Sequence, residues 1–518
     1  MLETNVHWLW GYSNRISGMP GDPIALHLSG TARNAAVEIA RIGKDRQVVH
    51  RLGPFPIGRH EVPENPHIVG CGWPLAATFQ IGNWPTGYYE LLFSGDDGAR
   101  ARHMLVVRSS RRSADVALVL STNTYQAYNC WGGANSYVWV GGPYPAAKPS
   151  DTRKLGAARI LSAHRPFSAG QMQPRSPHHR IVTPAPRGFM QSPGAGEIWD
   201  EAGAGGEIQD CPAGYVDKWE HAFVAWAETE GYRLDFLTDA DLDSDPASLE
   251  GYKVAVCVGH SEYWTWDQRT QIESFVERGG NLAIFSGNTC YWQCRWEDDH
   301  SRLVVYKSAA EDSDPLASDP ARRHLLTSMW SHPATGKPEA ALTGLSFLFG
   351  GYHRFGNCVA RGSCGYTVLR EKHWALQGTD LYWGDVFGAE CRLVGFEVDG
   401  APFTLGADGY AHALPRLGVP PDLDIIAYAP ASLFEPMDQP YSPIALVEAL
   451  PTIAKAMGME NNAALRDRLR RGHALMATFG RGAGEVFNGG TTEWAYALAG
   501  RNPYVDRITR NVLDRFLS

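Results

Sequence analysis

The sequence predicts an α/β protein with a three-layer core built on a parallel sheet, preceded by an N-terminal β-sandwich. The first 110 residues contain short segments of alternating polarity separated by turns, whereas near-continuous apolar segments alternate with helical patterns from residue 114 onward. A basic and polar stretch, RSSRRSAD at residues 108–115, lies between the two patterns. We therefore expect a β-sandwich domain at residues 1–110 and an α/β catalytic domain with long aromatic-rich loops at residues 111–518.

The N-terminal region has the pattern of paired antiparallel strands. Its strand candidates are PIALHLSG, VEIARIG, GYYELLFSG and HMLVVRS, with turns rich in Gly, Pro and Asp between them. Short strands with regularly spaced turn signals are typical of sandwiches. This pattern favours an immunoglobulin-like domain.

The second region alternates strands and helices. The predicted strands are ALVLST, RLDFLT, KVAVCVG and NLAIFSG, and the predicted helices are KWEHAFVAWAETEG and WDQRTQIESFVERG. Apolar strands linked by helices imply a parallel sheet that is covered on both faces. Residues 300–450 offer only short strand candidates, and the amphipathic segment PYVDRITRNVLDRFLS is expected to close the same domain.

Composition argues against several classes of protein. The net charge is −9 and no Lys/Arg-rich tract is interleaved with aromatics, so nucleic acid is not expected as a partner. No apolar run approaches the roughly 20 residues that cross a bilayer, and the first residues lack the pattern of an export signal, so we expect no membrane association and a cytoplasmic protein. The nine cysteines include no CxxC pair, which argues against a disulfide framework or a cysteine-rich zinc site.

Three polar segments rich in aromatic residues follow predicted strands. They are TYQAYNCWGGANSY at residues 124–137, GHSEYW at 259–264 and SGNTCYW at 286–292. The carboxyl ends of strands in an open α/β sheet face one crevice, so these segments can converge. An imidazole and a carboxylate two residues apart could bind a metal or transfer protons, and an amide beside them could hold an oxyanion. The residues concerned are His260, Glu262 and Asn288.

Each of these residues also has a structural interpretation. Glu262 could simply begin the next helix, where the helix dipole favours a carboxylate, and Asn288 could supply turn geometry. Glu397 lies in the strand-like segment LVGFEVDG, where Phe396 and Val398 would partly desolvate it. It could equally pair with an arginine or lysine in a sheet. The residues alone leave both interpretations open.

Tyr125, Tyr128 and Tyr137 are candidate metal ligands in the loop after the first predicted strand of the second region. A phenol has a pKa of about 10 in water, so a tyrosinate forms at neutral pH only beside a strong Lewis acid. A hard trivalent ion such as Fe(III) suits phenolate and carboxylate oxygens, whereas zinc prefers histidine or cysteine. The loop is therefore a candidate source of oxygen ligands for a hard ion.

The segments TYQAY, GHSEYW, SGNTCYW and GFEVDG resemble the large subunit of N,N-dimethylformamidase, over about residues 114–400. The resemblance implies an iron-dependent amidohydrolase with a mononuclear Fe(III) centre held by two tyrosines and one glutamate. It also implies an α/β core similar to class I glutamine amidotransferases. The implied metal ligands are Glu262, Tyr137 and one of Tyr125 and Tyr128, and the implied catalytic groups are His260, Asn288 and Glu397. A small amide substrate, a homo-oligomer and a small partner subunit are the expected partners.

The expected reaction is hydrolysis of a small amide, such as a formamide, to a carboxylic acid and an amine. Trp131, Trp264 and Trp292 are candidates for the walls of an apolar substrate pocket. A second hypothesis makes Cys290 a thiolate nucleophile with His260 as its base, although no G-x-C-x-G element surrounds the cysteine. A third hypothesis is a non-catalytic carbohydrate-binding protein, which the abundant tryptophans would serve.

Overall fold

The computed structural model of the chain describes residues 7–137, 158–172, 213–353, 363–433 and 444–518. Within these ranges the strands form five sheets, of which the largest has 11 strands. In the same ranges, no helix is both long enough and apolar enough to cross a bilayer.

The N-terminal region contains two sheets that share one apolar core. A three-stranded antiparallel sheet has the order β1-β3-β6, and a five-stranded sheet has the order β2-β8-β7-β4-β5. Side chains alternate between core and solvent along β3, and its Leu26 and Leu28 pack in the same buried cluster as Leu91 and Phe93 of β7. The strands are β1 Leu9–Ser13, β2 Ser17–Gly18, β3 Pro23–Gly30, β4 Asn34–Ile42, β5 Arg46–Pro56, β6 Ala77–Gln80, β7 Gly87–Gly95 and β8 Arg100–Val107, with the short helix α1 at Pro66–Val69.

One half of the 11-stranded sheet is parallel. Its strands lie side by side in the order β11, β9, β12, β14 and β25, where β25 is Gly484–Asn488. Each of the four neighbouring pairs runs parallel. The strands of this part of the chain are β9 Val116–Leu120, β10 Ile160–Ser162, β11 Leu234–Thr238, β12 Val254–His260, β13 Tyr263–Thr265, β14 Asn281–Gly287, β15 Trp292–Glu297 and β16 Arg302–Val304. The helices are α2 Thr122–Tyr128, α3 Ala169–Met172, α4 Trp219–Thr229, α5 Asp239–Ser244 and α6 Trp266–Glu277.

The parallel strands are mostly apolar, and both of their faces are buried. Along β9, Leu118 packs in one apolar cluster with Phe223 of α4, whereas Val119 packs in another cluster with Ile272 of α6. Helices therefore cover both faces of this part of the sheet. Helix α6 begins at a capping box in which the side chain of Thr265 accepts a hydrogen bond from the backbone N–H of Gln268, and the Gln268 side chain accepts one in return.

The other half of the 11-stranded sheet is antiparallel. From β25 the order continues β24-β23-β18-β19, with β22 and β21 attached beside β23. The strands are β17 Ser346–His353, β18 Tyr366–Val368, β19 Val386–Phe387, β20 Phe396–Gly400, β21 Phe403–Leu405, β22 Ala411–Ala413, β23 Asp424–Ala431, β24 Gly472–Arg481 and β25 Gly484–Asn488. Two smaller sheets, β10-β16-β15-β13 and β17-β20, lie outside it.

The predicted fold class is wrong as a description of this chain. The main sheet is mixed, and four further sheets accompany it, so a parallel three-layer core of the class I glutamine amidotransferase type behind a β-sandwich does not describe the molecule. The physical reason lies in the connections. Strands β24 and β25 are joined by only two residues, Gly482 and Ala483, which permits an antiparallel hairpin but is too short for the crossover that a parallel pair needs.

The remaining helices lie in the C-terminal part of the chain. They are α7 Ala310–Ser313, α8 Ala340–Thr343, α9 Ile444–Met457, α10 Ala463–Leu469, α11 Trp494–Ala499 and α12 Pro503–Leu517, with 3-10 turns at Lys307–Ala309, Pro315–Ser318, Arg323–Leu325 and Trp374–Leu376. Asn502 caps the start of helix α12, because its side chain accepts hydrogen bonds from two backbone N–H groups. The helix buries one apolar face that includes Ile508 and Val512.

The N-terminal sheets and the rest of the chain pack against each other. Ile42 of β4 and Val106 of β8 belong to the same buried cluster as Val116 of β9 and Tyr215. The Tyr215 hydroxyl also donates a hydrogen bond to the backbone carbonyl of Ile42, at 2.9 Å. The boundary at residue 110 between two domains stays a prediction.

Candidate functional site

The ends of β12 and β14 lie side by side at one edge of the sheet. In their parallel register His260 is opposite Gly287, so Asn288 follows directly beside the histidine. The backbone of β20 passes so close to Gly287 that only glycine fits there. A Cβ atom at this position would lie 2.3 Å from the backbone carbonyl oxygen of Glu397. This close approach brings a third strand, with Glu397, to the same edge.

Helix α2 is tied to the segment that follows β12. The side-chain oxygen of Thr124 accepts hydrogen bonds from the backbone N–H groups of Glu262 and Tyr263, at 3.1 and 3.3 Å. The backbone carbonyl of Glu262 in turn accepts hydrogen bonds from Tyr291 and Trp292, both at 3.0 Å. The three segments singled out in the sequence therefore meet around Glu262.

Tyr128, Tyr137 and Glu262 form a phenol–carboxylate cluster. The Tyr137 hydroxyl donates to Oε1 of Glu262 at 2.7 Å, and the Tyr128 hydroxyl lies 3.0 Å from Oε2. The two phenol oxygens are themselves 3.0 Å apart. Each of the three side chains thus places an oxygen within hydrogen-bonding distance of both others, so one small cation could contact all three.

A second group of polar side chains adjoins this cluster. Nε2 of His260 lies 2.6 Å from Oε2 of Glu397 and 3.3 Å from Oε2 of Glu262, so the imidazole bridges the two carboxylates. Asn288 donates from its side-chain amide to the same Glu397 oxygen, at 3.2 Å. The amide oxygen of Asn288 is buried and has no hydrogen-bond partner among the described residues. A buried acceptor of this kind is suited to a ligand group or a water molecule.

Burial dominates the electrostatics of the phenol–carboxylate cluster. It raises the pKa of Tyr128 and of Tyr137 well above the ordinary value of 10, and the charge of Glu262 raises both further. The pKa of Glu262 is raised as well, first by desolvation, while the nearby His260 opposes the rise. The two phenols therefore keep their protons at neutral pH unless a bound cation replaces those protons.

The oxygens of this cluster fit a trivalent metal. Two phenolates and one carboxylate are hard anionic donors, and their three negative charges would balance Fe(III) in a site shielded from water. In the described parts of the chain, no three or more His, Cys, Asp or Glu side chains are grouped so that they could hold a metal. A metal at this edge would thus depend on the tyrosines.

Tyr125 lies in a different environment from Tyr128. Its hydroxyl donates to Oε1 of Glu220 in helix α4, at 2.6 Å, and both side chains are fully buried. Burial raises the pKa of Glu220 to about 7. Of the two alternatives left open by the TYQAY segment, the geometry brings Tyr128 to Glu262 and takes Tyr125 to Glu220.

The environment of Cys290 does not favour a nucleophile. The side chain is fully buried and packs in the apolar cluster that contains Cys257, Trp264 and Ile284. Burial raises the pKa of its thiol well above the ordinary value of 9, which disfavours a thiolate. The base assigned to it in that hypothesis, His260, is instead held between Glu262 and Glu397.

The tryptophans predicted to wall a pocket do not lie together. Trp131 packs edge to face against Trp10 and Trp73 of the N-terminal region, and Trp264 is buried in the core with its indole N–H donating to Ser261. Trp292 stays near the site, beside Tyr291. Among the described residues, the aromatic rings that contact His260 include those of Tyr128, Trp219 and Phe396, with centroids 5.5, 6.0 and 6.2 Å away.

Sequence reasoning missed several groups that support the site. Both carboxylate oxygens of Asp399 accept backbone N–H bonds, from Asn288 at 3.0 Å and Thr289 at 3.1 Å, and burial raises the pKa of Asp399 to about 8. The available signal was the strand alternation in GFEVDG, which puts residues 397 and 399 on one face. No sequence pattern assigned a role to Tyr263, which lies in the segment GHSEYW, or to Lys307, which lies outside the three polar segments.

Two comparisons of the sequence with known proteins point to one family. The family model described as N,N-dimethylformamidase beta subunit-like, C-terminal, matches residues 36–506. The N,N-dimethylformamidase beta subunit of Alcaligenes sp. is 30% identical over 88 residues, which cover 17% of this chain and 11% of that relative. A Paenibacillus sp. cycloisomaltooligosaccharide glucanotransferase complexed with cycloisomaltoheptaose superposes with a TM-score of 0.15 and 17% identity, over 25% of this chain and 18% of that one, and so poor a likeness carries no argument.

Proposed function

Because the chain belongs to the N,N-dimethylformamidase beta subunit-like, C-terminal family, we propose that it is an iron-dependent hydrolase of small amides. The matched segment spans only 11% of the Alcaligenes relative, so the activity is a proposal and does not follow from that match alone. The observation that carries it is the convergence of Tyr128, Tyr137 and Glu262, next to a second carboxylate that His260 holds.

Tyr128, Tyr137 and Glu262 would hold Fe(III). When bound there, the ion would supply Lewis acidity, polarising an amide carbonyl and acidifying a water molecule. The chain provides three oxygen donors whose anionic charge would match the cation. Glu262 and Tyr128 are buried, and Tyr137 is half-buried. Catalysis then depends on how the neighbouring groups of this chain handle protons and charge.

Glu397 is the group we assign to proton transfer. Its Oε2 faces both His260 and Asn288, so two neighbours fix its position while it accepts a proton from the attacking water and returns it to the leaving amine. The reaction gives a carboxylic acid and an amine. Asn288 carries a second amide N–H, which we assign to the developing oxyanion, where one such donor typically contributes about 3 kcal/mol.

The relative is named as a beta subunit, which supports a further proposal about assembly. A beta subunit by name belongs with at least one other kind of subunit. We propose that this chain also works in a complex, either with a small partner chain or with further copies of itself.

The test combines metal analysis, colour and turnover of the full chain. Purified protein should contain about one iron per chain, show a visible tyrosinate-to-Fe(III) absorption band, and release dimethylamine and formate from dimethylformamide. Glu397→Gln should keep the iron and the band but lose turnover by roughly 100- to 10,000-fold, the range for removal of a general acid–base. Asn288→Ala should likewise retain iron. A colourless, iron-free protein with full amidase activity would refute the proposal.

A further inference from the structure

Tyr263 is a further buried neighbour of Tyr137. The hydroxyl of Tyr263 donates a hydrogen bond to the Tyr137 hydroxyl oxygen at 2.9 Å, and Oγ of Ser136 lies 3.1 Å from the Tyr263 oxygen. Tyr263 is fully buried. The oxygen of Tyr137 therefore lies within hydrogen-bonding distance of Glu262 and of two phenols, Tyr128 and Tyr263.

A buried cation lies against the ring of the same tyrosine. Nζ of Lys307 is 3.1 Å from the ring centroid of Tyr137, and 5.3 and 5.5 Å from the ring centroids of Tyr263 and Trp292. Only 6% of Lys307 is exposed. Cations are attracted to the faces of aromatic rings, and more strongly where water is excluded. The ammonium group thus lies where it stabilises electron density in the Tyr137 ring.

Tyr128 has a different relation to these two residues. Its ring meets that of Tyr263 edge to face, with centroids 6.5 Å apart, whereas Tyr137 receives the hydroxyl itself. The close contact of the ammonium group is likewise made with Tyr137. The two phenols of the cluster therefore differ in their contacts with Tyr263 and Lys307, although each has an oxygen near Glu262.

We infer that Tyr263 and Lys307 are positioning residues that fix the oxygen and ring of Tyr137 and make it a weaker electron donor than it would be without them. This inference rests on the proposed function, because the donor strength in question is that toward Fe(III). A hydrogen bond to a phenolate oxygen and a cation over its ring both stabilise negative charge on that phenolate. Outer groups of this kind tune a metal through the ligand they contact.

Removing either group should raise the energy of the Tyr137 electrons. A charge-transfer transition from Tyr137 to Fe(III) would then need less energy, so the visible band should move to longer wavelength. Tyr263→Phe removes only the hydroxyl, and Lys307→Met removes only the charge from a chain of similar length. Both changes should leave the three proposed iron ligands in place.

The experiment compares visible spectra and iron content of the full chain loaded with Fe(III). Tyr232→Phe is the matched control, since it removes a tyrosine hydroxyl that bonds to Asp514 and lies in none of the groups described at the site. We expect Tyr263→Phe to shift the band to longer wavelength and Tyr232→Phe to leave it unchanged, with both proteins holding iron. Circular dichroism and the thermal midpoint identify variants that do not fold.

The outcomes separate this inference from the proposed function. A wild-type chain that binds no iron defeats the proposed function itself. An iron-bearing wild type with an unshifted Tyr263→Phe band overturns the inference, and so does a folded Tyr263→Phe protein that loses iron, because Tyr263 would then be a ligand. If Tyr263→Phe does not fold, Lys307→Met decides, with Lys307→Arg expected to keep the wild-type band because it keeps the charge.

Discussion

Helix α2 carries two tyrosines three residues apart that end in two different carboxyl environments. Tyr125 donates to the buried carboxyl of Glu220, whereas Tyr128 lies beside Glu262 together with Tyr137 and next to His260. Both pairs are buried, and burial raises the pKa of both tyrosines well above 10. A buried phenol–carboxyl contact is thus common to both regions and does not by itself make a site.

The difference between the two regions is the number of oxygens that converge. With both groups protonated, the Tyr125–Glu220 pair carries no charge, which suits a structural contact in a core. At Glu262 two phenols and a carboxylate meet, and a second carboxylate follows one imidazole away. Such a concentration of acidic groups is costly to bury without a cation, which is why we assign the metal to this region.

The largest expected effect comes from removing the carboxyl group of Glu262. Glu262→Ala should abolish iron binding and turnover, because it deletes a ligand that both phenols contact. The fall in iron affinity should exceed the roughly 10- to 100-fold that accompanies loss of an outer hydrogen bond to a ligand. Metal analysis and amide hydrolysis measure it.

Glu220→Gln is the matched control for Glu262→Ala. It keeps an acceptor for the Tyr125 hydroxyl and should retain iron and activity. If Glu220→Gln also loses its iron while remaining folded, the contrast between the two regions is broken.

Replacing Tyr125 and Tyr128 in turn with phenylalanine tests the same contrast with a smaller chemical change. Tyr128→Phe should lose most of the iron and the visible band, whereas Tyr125→Phe should keep both. Tyr125→Phe should instead lower the free energy of unfolding by about 1–3 kcal/mol, since it removes a hydrogen bond to a buried carboxyl. Iron content, absorption and thermal midpoints distinguish the two variants. The reverse pattern would make Tyr125 the ligand.

The choice between these tyrosines shows where sequence reasoning ends. Residues three apart on a helix differ in direction by only about 60°, so both could face one site. The carboxyl group that binds the Tyr125 hydroxyl belongs to Glu220, 95 residues further along the chain, and no local sequence pattern predicts this contact. The strand ends could be located, in contrast, because apolar segments such as β12 and β14 stop at His260 and Gly287.

The fold shows the same limit on a larger scale. Local patterns placed a strand at β11 and a helix at α6, since buried strands and capped amphipathic helices leave a signal in neighbouring residues. The order and direction of strands in residues 340–490 depend on pairing between distant segments. A two-residue connection at Gly482 and Ala483 makes β24 antiparallel to β25. The local spacing of apolar residues does not show the direction in which distant strands pair.

The smallest expected effect concerns stability and pH in the metal-free protein. The pKa of Glu220 is about 7 in the folded chain and near 4.5 when unfolded, so the folded state holds this proton more tightly. Stability from this group is therefore present below pH 4.5 and is lost as the pH rises to 7, at up to about 1.4 kcal/mol per pH unit. Glu220→Gln does not titrate and should lack this loss. Between pH 4.5 and 7 the thermal midpoint of the variant should rise relative to that of the wild type. Parallel curves would instead show that Glu220 is already ionised in the folded protein. Its pairing with Tyr125 would then differ from the one described.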